Sequence, residues 1–309
     1  MKILVTAPDY YPKEILSELE PFGHVDSKKL SREELMKIIG NYDAILARIE
    51  IKFDRELLEK ADNLKAIATA TTGTDHIDLE YAKERGIKVI SAPGANAIAT
   101  AEHTFGMILS LVRNIPWGFE SIKNFEYKRS EFLGSELNGK TIGIIGFGRI
   151  GCQVGRYAKT FGMKILTYDP YINENLARDI GAEIVPLDKL LKDSDIISIH
   201  AFASPENENM ISNEQFSKMK KTAFLINVSR GSLVDEDALI DALKTNKIQG
   251  AALDVLKEEP PSRSNNLIDY AKRSNNLIIT PHLGGSTKES VYNAAKEVVQ
   301  KVKEILIKQ

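Results

Sequence analysis

The sequence predicts an α/β protein made of two doubly wound parallel-sheet domains, and three observations predict it. Short apolar runs alternate with helical patterns in two separate series, as parallel strands joined by crossover helices do. A glycine-rich turn, Gly146 to Gly151, opens the second series in mid-chain rather than at its start. The chain then closes with one helical stretch too short to be a domain of its own.

In the first series, strands are expected over residues 3–6, 24–27, 44–47, 66–70 and 88–90. Amphipathic stretches separate them. One covers residues 31–39, where Ser31 and Glu34, three residues on, form a capping box. The second series begins with a long helix over residues 97–112, followed by Pro116. Next come a strand over 141–145, a helix over 150–161, and strands over 164–168, 195–200, 223–228, 250–255 and 277–280. A helix is expected over 288–307. Such a terminal helix packs back on something already built, so residues 1–96 plus 287–309 are read as one discontinuous domain, with residues 97–286 inserted as the other. The hexapeptide Arg-Ser-Asn-Asn-Leu-Ile occurs twice, at 263–268 and 273–278. A repeat so short and isolated does not indicate a solenoid.

With 309 residues, 43% hydrophobic and 27% charged, the composition is that of an ordinary globular protein. Basic and acidic residues nearly balance, 41 against 43, giving a formal net charge of -2 and no reason to expect nucleic acid or an acidic membrane as partner. The single cysteine, Cys152, excludes an intramolecular disulfide and a cysteine metal cluster, and is expected as a small buried residue. The first residues are too briefly apolar for a signal peptide, and no apolar run reaches membrane-spanning length. A cytoplasmic protein is expected.

Thr141-Ile142-Gly143-Ile144-Ile145 reads as a buried strand running into Gly146-Phe147-Gly148-Arg149-Ile150-Gly151. Gly146 permits the tight turn, Gly148 lets the backbone approach a pyrophosphate, and Gly151 lets helix and strand pack closely. The helix start then presents free N–H groups and partial positive charge to phosphates. An acid closes the next strand: Asp169, 18 residues beyond Gly151. A carboxylate there accepts hydrogen bonds from ribose hydroxyls and repels a 2′-phosphate, which favours NAD over NADP.

In an open α/β sheet, ligands lie outside the carboxyl ends of the strands. The polar groups expected there are His200, Arg230, Asp254 with Glu258 and Glu259, and His282. Reducing a 2-oxo acid needs a cation for its carboxylate and a proton donor of near-neutral pKa for its carbonyl oxygen. A carboxylate beside a histidine raises its pKa and fixes its tautomer. Position along the chain does not choose between His200 and His282.

Three separated phrases resemble the D-isomer-specific 2-hydroxyacid dehydrogenase family. They are Asn227-Val228-Ser229-Arg230-Gly231 with Val234-Asp235-Glu236-Asp237-Ala238-Leu239, then Ala252-Leu253-Asp254-Val255 through Glu259-Pro260, then Thr280-Pro281-His282-Leu283-Gly284-Gly285. Ala101-Glu102-His103-Thr104 and residues 134–141 agree, and the likeness runs from about Asp43 to the C-terminus. It points within the family to the short phosphoglycerate dehydrogenase and glyoxylate or hydroxypyruvate reductase-like branch. The resemblance implies a flavodoxin-like substrate domain, a Rossmann NAD domain and an active site in the cleft between them. Arg230 would bind the substrate carboxylate and polarise the carbonyl, His282 would exchange the proton, and Glu259 would pair with His282. Arg48 and the backbone of Thr72-Gly73-Thr74 would join Arg230 and His282 around the substrate.

The same resemblance implies that NAD meets the glycine loop (Gly146, Phe147, Gly148, Arg149, Ile150 and Gly151), Asp169, His200, Ala201, Val228, Ser229, Asp254 and His282. His103 and His200 keep structural roles. No metal is implied. A homodimer through the helix after Ala97 is implied, as is domain closure about hinges near residues 94–97 and 284–287. The sequence also departs from the family pattern. Phe202 stands where proline is usual, and His76 where asparagine is common. Arg48-Ile49-Glu50-Ile51-Lys52 replaces the Arg-Ser-x-Thr-Lys of relatives acting on 3-phosphoglycerate, placing an acid that would repel a phosphate. The alternative reading is an NAD-sensing, corepressor-type binding protein. A formate-type dehydrogenase is disfavoured, because such relatives pair the histidine with glutamine.

Overall fold

The computed structural model describes residues 1–307. Two parallel sheets result. The first contains β1 (Lys2–Val5), β2 (His24–Ser27), β3 (Ala44–Ala47), β4 (Ala66–Thr69) and β5 (Lys88–Ile90), in the order β2-β1-β3-β4-β5. The second contains β6 (Thr141–Ile145), β7 (Lys164–Tyr168), β8 (Ala182–Ile184), β9 (Ile196–Ile199), β10 (Phe224–Asn227), β11 (Gly250–Leu253) and β12 (Leu277–Ile279), in the order β12-β11-β10-β9-β6-β7-β8. Every ladder in both sheets is parallel. Parallel strands need covered faces, and the residues alternate accordingly. In the first sheet Ile3, Val5, Ala44 and Leu46 enter one core, while Leu4, Ile45 and Ala47 enter the core on the opposite face.

The chain divides into two compact units: Met1–Asn96 together with the chain from Gly285 onward, and Ala97–Gly284. The return to the first unit thus falls at Gly285, two residues before the expected 287. The reason for the return is apolar burial. Helix Lys288–Ile307 presses Ala294, Ala295, Val298, Val299 and Val302 onto the Ile3 and Val5 face of the first sheet. Helix Ala97–Val112 does the same in the second unit, with Ala101, Phe105, Ile108 and Leu111 against Ile142, Ile144 and Ile226. The Ser31 capping box is formed: Glu34 N–H donates to Ser31 Oγ at 3.2 Å and Ser31 N–H to the Glu34 carboxylate at 2.8 Å.

The structure adds β8, an edge strand of three residues with a half-exposed pattern, too short to show an alternation in sequence. Expected strand ends shorten by a residue or two. His200, Asp254 and Thr280 leave the ladders and enter the loops described below. Cys152 is 2% exposed, and burial pushes its thiol up, as befits a packing residue. Among the described residues no helix is long and apolar enough to cross a membrane.

Candidate active site

Because all seven strands of the second sheet are parallel, the residues following each strand gather at one edge. That edge collects Gly146 after β6, Asp169 after β7, His200 and Ala201 after β9, Val228, Ser229 and Arg230 after β10, Asp254 after β11, and Thr280 and His282 after β12. The order of the sheet reverses between β6 and β9. The crevice at such a reversal is where open α/β sheets hold ligands.

The glycine loop lies at that crevice. Gly146 takes the left-handed conformation at φ 87°, and a Cβ there would stand 2.6 Å from the Ala201 nitrogen. At Gly151 a Cβ would stand 2.1 Å from the Gly146 carbonyl oxygen, so only glycine lets helix Arg149–Thr160 start so close to the strand. Gly148 is exposed and has nothing within 4 Å of where a side chain would be. No side chain caps the helix start, whose first-turn amides therefore lack the usual intramolecular acceptor. Open space, bare amides and a positive helix end together fit a dinucleotide pyrophosphate.

Two expectations within this loop are refined. Phe147 is 3% exposed in the core, and its N–H donates to Asp169 Oδ2 at 2.8 Å, so neither its side chain nor its amide is presented to a cofactor. Asp169 also accepts from Tyr171 N–H at 2.8 Å through Oδ1. These bonds hold its carboxylate against the glycine loop and use one acceptor position on each oxygen, leaving the others for ribose hydroxyls.

Asn227, wholly buried at the end of β10, shapes the turn that carries Arg230. Its Oδ1 accepts from Ser229 N–H at 3.0 Å and its Nδ2 donates to the Arg230 carbonyl at 2.9 Å. Ser229 Oγ donates to the Ile199 carbonyl at 2.6 Å, tying this turn to the end of β9. Arg230 Nη1 donates to the Ser229 carbonyl at 2.8 Å. Gly231 then allows a close approach: a Cβ would lie 2.0 Å from the Leu256 carbonyl carbon. The Arg230 turn therefore abuts the loop that carries Glu259. The sequence marked Asn227 only as part of a phrase, although an asparagine at a strand end is itself a turn signal.

His282 and Glu259 meet directly. His282 Nδ1 lies 2.6 Å from Glu259 Oε2, while Glu259 Oε1 accepts from Leu256 N–H at 2.8 Å. The bond to Glu259 raises the His282 pKa above its ordinary value, overcoming the opposing effect of burial. On Glu259, burial pushes upward, but the bonds from His282 and Leu256 prevail and hold the carboxyl below its usual range. Both partners shift toward the charged pair. His282 sits at φ 54°, a sparsely populated conformation for a side chain other than glycine, and such outliers cluster at functional sites.

Asp254 fixes that turn. It is 1% exposed, and its carboxylate accepts from Leu283 N–H at 2.8 Å, Gly284 N–H at 2.7 Å, Thr280 Oγ at 2.5 Å and His103 Nε2 at 3.1 Å. Its own carbonyl accepts from His282 N–H at 2.9 Å. Three donors converge on Oδ1 and one on Oδ2, all from the protein, and the side chain is buried, so Asp254, expected at the cofactor, works inward instead. Burial opposes its ionisation, but these donors keep the carboxyl below its ordinary value. His103 and Thr280 belong to this network, a role that their spacing in sequence does not reveal.

The two histidines left open by chain position now separate. His200 bonds Ser198 through Nε2 at 2.8 Å, and burial pushes its pKa down to about 3. It is neutral near pH 7 and a poor source of protons. His200 and Ala201 instead pack on Gly146, and Val228 is 6% exposed.

In the first unit, Arg48 follows β3 and Thr72, Gly73 and Thr74 follow β4, again at a carboxyl edge. Among the described residues none of the amides of Thr72, Gly73 and Thr74 donates to a backbone carbonyl. Thr72 Oγ donates to Asn96 Oδ1 at 2.8 Å.

Comparison with known proteins gives the family. Residues 105–284 match the family model described as "D-isomer specific 2-hydroxyacid dehydrogenase, NAD binding domain". The chain is 44% identical over 308 residues to the D-3-phosphoglycerate dehydrogenase of Methanocaldococcus jannaschii, covering 99% of this chain and 57% of that protein. It is 39% identical over 282 residues to the hydroxypyruvate reductase of Thermotoga maritima, covering 90% of this chain and 89% of that one. The D-lactate dehydrogenase of Aquifex aeolicus, solved with NAD and lactic acid, superposes with a TM-score of 0.84 at 35% identity, covering 100% of this chain and 96% of that chain. The chain spans little more than half the length of the phosphoglycerate dehydrogenases it matches, 57% and 56% for two archaeal ones. All three relatives carry enzyme names, and nothing in them favours a corepressor-type binding protein.

Proposed function

The chain belongs to the D-isomer-specific 2-hydroxyacid dehydrogenase family, and on that premise we propose that it is an NAD-dependent oxidoreductase interconverting a D-2-hydroxy acid and its 2-oxo acid. The observation that carries this reading is the His282–Glu259 pair at 2.6 Å, on the same sheet edge as the glycine loop and Arg230. NAD held there would supply hydride exchange with the 2-carbon of the acid. The pyrophosphate belongs at the Gly146–Gly151 turn, over Gly148, Arg149 and Ile150. The adenosine ribose belongs at Asp169, whose charge selects against a 2′-phosphate. His200, Ala201, Val228 and Ser229 line the remainder.

Arg230 binds the substrate carboxylate with its planar pair of donors, orienting the 2-carbon. The ring nitrogen of His282 opposite Glu259, Nε2, gives its proton to the carbonyl oxygen during reduction and takes it back during oxidation. Glu259 stabilises the imidazolium and fixes its tautomer. Asp254 positions the His282 turn. In the first unit, Arg48 and the amides of Thr72, Gly73 and Thr74 hold the acid.

We also propose a cytoplasmic homodimer. The dimer is supported by the apolar side chains exposed along residues 115–133: Phe119 is 66% exposed, Phe125 fully, and Leu133 89%.

The test is a panel of glyoxylate, hydroxypyruvate, pyruvate and 3-phosphohydroxypyruvate with NADH and NADPH in parallel, followed by loss of nicotinamide absorbance. Turnover with NADH is expected, faster than with NADPH. His282→Gln should lose about 100-fold or more in kcat while still binding NADH. No turnover across the panel despite NADH binding refutes the reading, and faster turnover with NADPH refutes the role of Asp169.

A further inference from the structure

The first sheet has its own reversal, between β1 and β3, and therefore its own crevice at the carboxyl edge. Tyr10 and Tyr11 follow β1 there, and Arg48 follows β3. The Arg48 guanidinium lies 3.7 Å above the Tyr10 ring, which fixes its direction. Its Nη1 is 3.5 Å from Glu50 Oε1, and its side chain is only 19% exposed. Resting on the reading that Arg48 and the 72–74 loop face the substrate, we propose that Glu50 is a specificity-determining residue. It closes this crevice to acids bearing a second anionic group and admits small 2-oxo acids whose substituent is uncharged or a hydroxyl.

The Glu50 carboxylate is half-exposed, yet its charge is felt at the strand ends. Burial dominates the upward shift of Tyr11 and the downward shift of His76; Glu50 adds a small upward push at Tyr11 and opposes the downward shift at His76. Tyr11 donates to the Ala47 carbonyl at 2.8 Å and accepts from Ala70 N–H at 3.0 Å, joining the ends of β3 and β4. Glu50 therefore lies within electrostatic reach of the strand ends where the substrate loop begins. A phosphate arriving at Arg48 meets a cation already matched by an acid, and its own charge is repelled by that acid. After β2, Lys28 lies 3.7 Å from Asp26 and Lys29 3.8 Å from Asp9. A hydroxyl substituent, by contrast, donates to the Glu50 carboxylate and leaves the pair intact.

The experiment compares kcat/KM for hydroxypyruvate, glyoxylate and 3-phosphohydroxypyruvate with NADH, in the wild type and in Glu50→Gln. The wild type should prefer hydroxypyruvate over its phosphorylated form by about tenfold or more, and Glu50→Gln should narrow that ratio by about tenfold through KM for the phosphorylated acid. Glu50→Asp, which keeps the charge, should hold the wild-type ratio and separates charge from fold. A wild type that prefers the phosphorylated acid, or a ratio unmoved in Glu50→Gln, overturns the inference while leaving the dehydrogenase reading in place. Turnover of none of the three acids fails both.

Discussion

Removing the carboxylate of Asp254 tests the view that this residue builds the His282 turn. In Asp254→Asn the shape is kept, but one oxygen becomes an NH2 group. The retained oxygen does best facing Leu283 N–H, Thr280 Oγ and His103 Nε2, since those three donors share Oδ1. The NH2 group then faces Gly284 N–H, which is buried and now 2.7 Å from a donor. An orphaned buried donor costs about 1–3 kcal/mol, and a lost bond to a charged acceptor about 1.5–3 kcal/mol, partly offset because a buried charge is no longer desolvated. The expected net loss is about 2–3 kcal/mol. Trp117, the only tryptophan, packs on the core of the second unit, so its emission during urea unfolding reports that unit. A loss below about 1 kcal/mol with an unchanged m-value would refute the assignment, because the four donors would then have other partners. The pH dependence gives a second reading. The folded Asp254 carboxyl titrates below its ordinary range, so its contribution is present above the unfolded value near 3.9. That contribution fades as pH falls through the folded value. The gap between wild type and Asp254→Asn should therefore shrink on acidification below about pH 4.

Two further outcomes follow from the structure. Glu259→Gln removes the group that raises the His282 pKa, so the alkaline limb of the reduction profile should move to lower pH, because reduction needs His282 protonated. The acid limb of oxidation should move the same way, and a profile that stays in place would remove Glu259 from its role. Light scattering should give twice the 34.4 kDa chain mass, and Phe119→Asp should shift it toward the monomer; a monomeric wild type refutes the dimer.

Much of the site was legible in sequence because its chemistry is carried in short contiguous phrases. The glycine loop needs glycines at fixed offsets for steric reasons, and the structure shows those contacts at Gly146 and Gly151. The resemblance marked Arg230, Glu259 and His282 as candidates, and its phrases also held Asn227, Asp254 and His103, but not the bonds that those three make. Asp254 looked like a residue facing outward from a strand end. Its burial became visible only when helix Ala97–Val112 brought His103 alongside it.

The repeated hexapeptide shows where sequence stops. In its first copy Asn265 accepts from Ile268 N–H at 3.0 Å and caps helix Asn266–Ala271. In its second copy Leu277 and Ile278 pair with Ala251 and Ala252 as the edge of the second sheet. Identical residues take helix in one place and strand in the other, because a neighbouring strand outweighs local propensities of a few tenths of a kcal/mol. By itself the sequence determined what depends on a few adjacent residues: the alternation of strand and helix, the glycine turn, and the types of group the chemistry needs. Tertiary structure supplied what drives the two histidines apart in pKa, downward at His200 and upward at His282. His200 is desolvated to neutrality, and His282 is held beside Glu259, because burial and partners separated by 23 residues exist only once the sheet has formed.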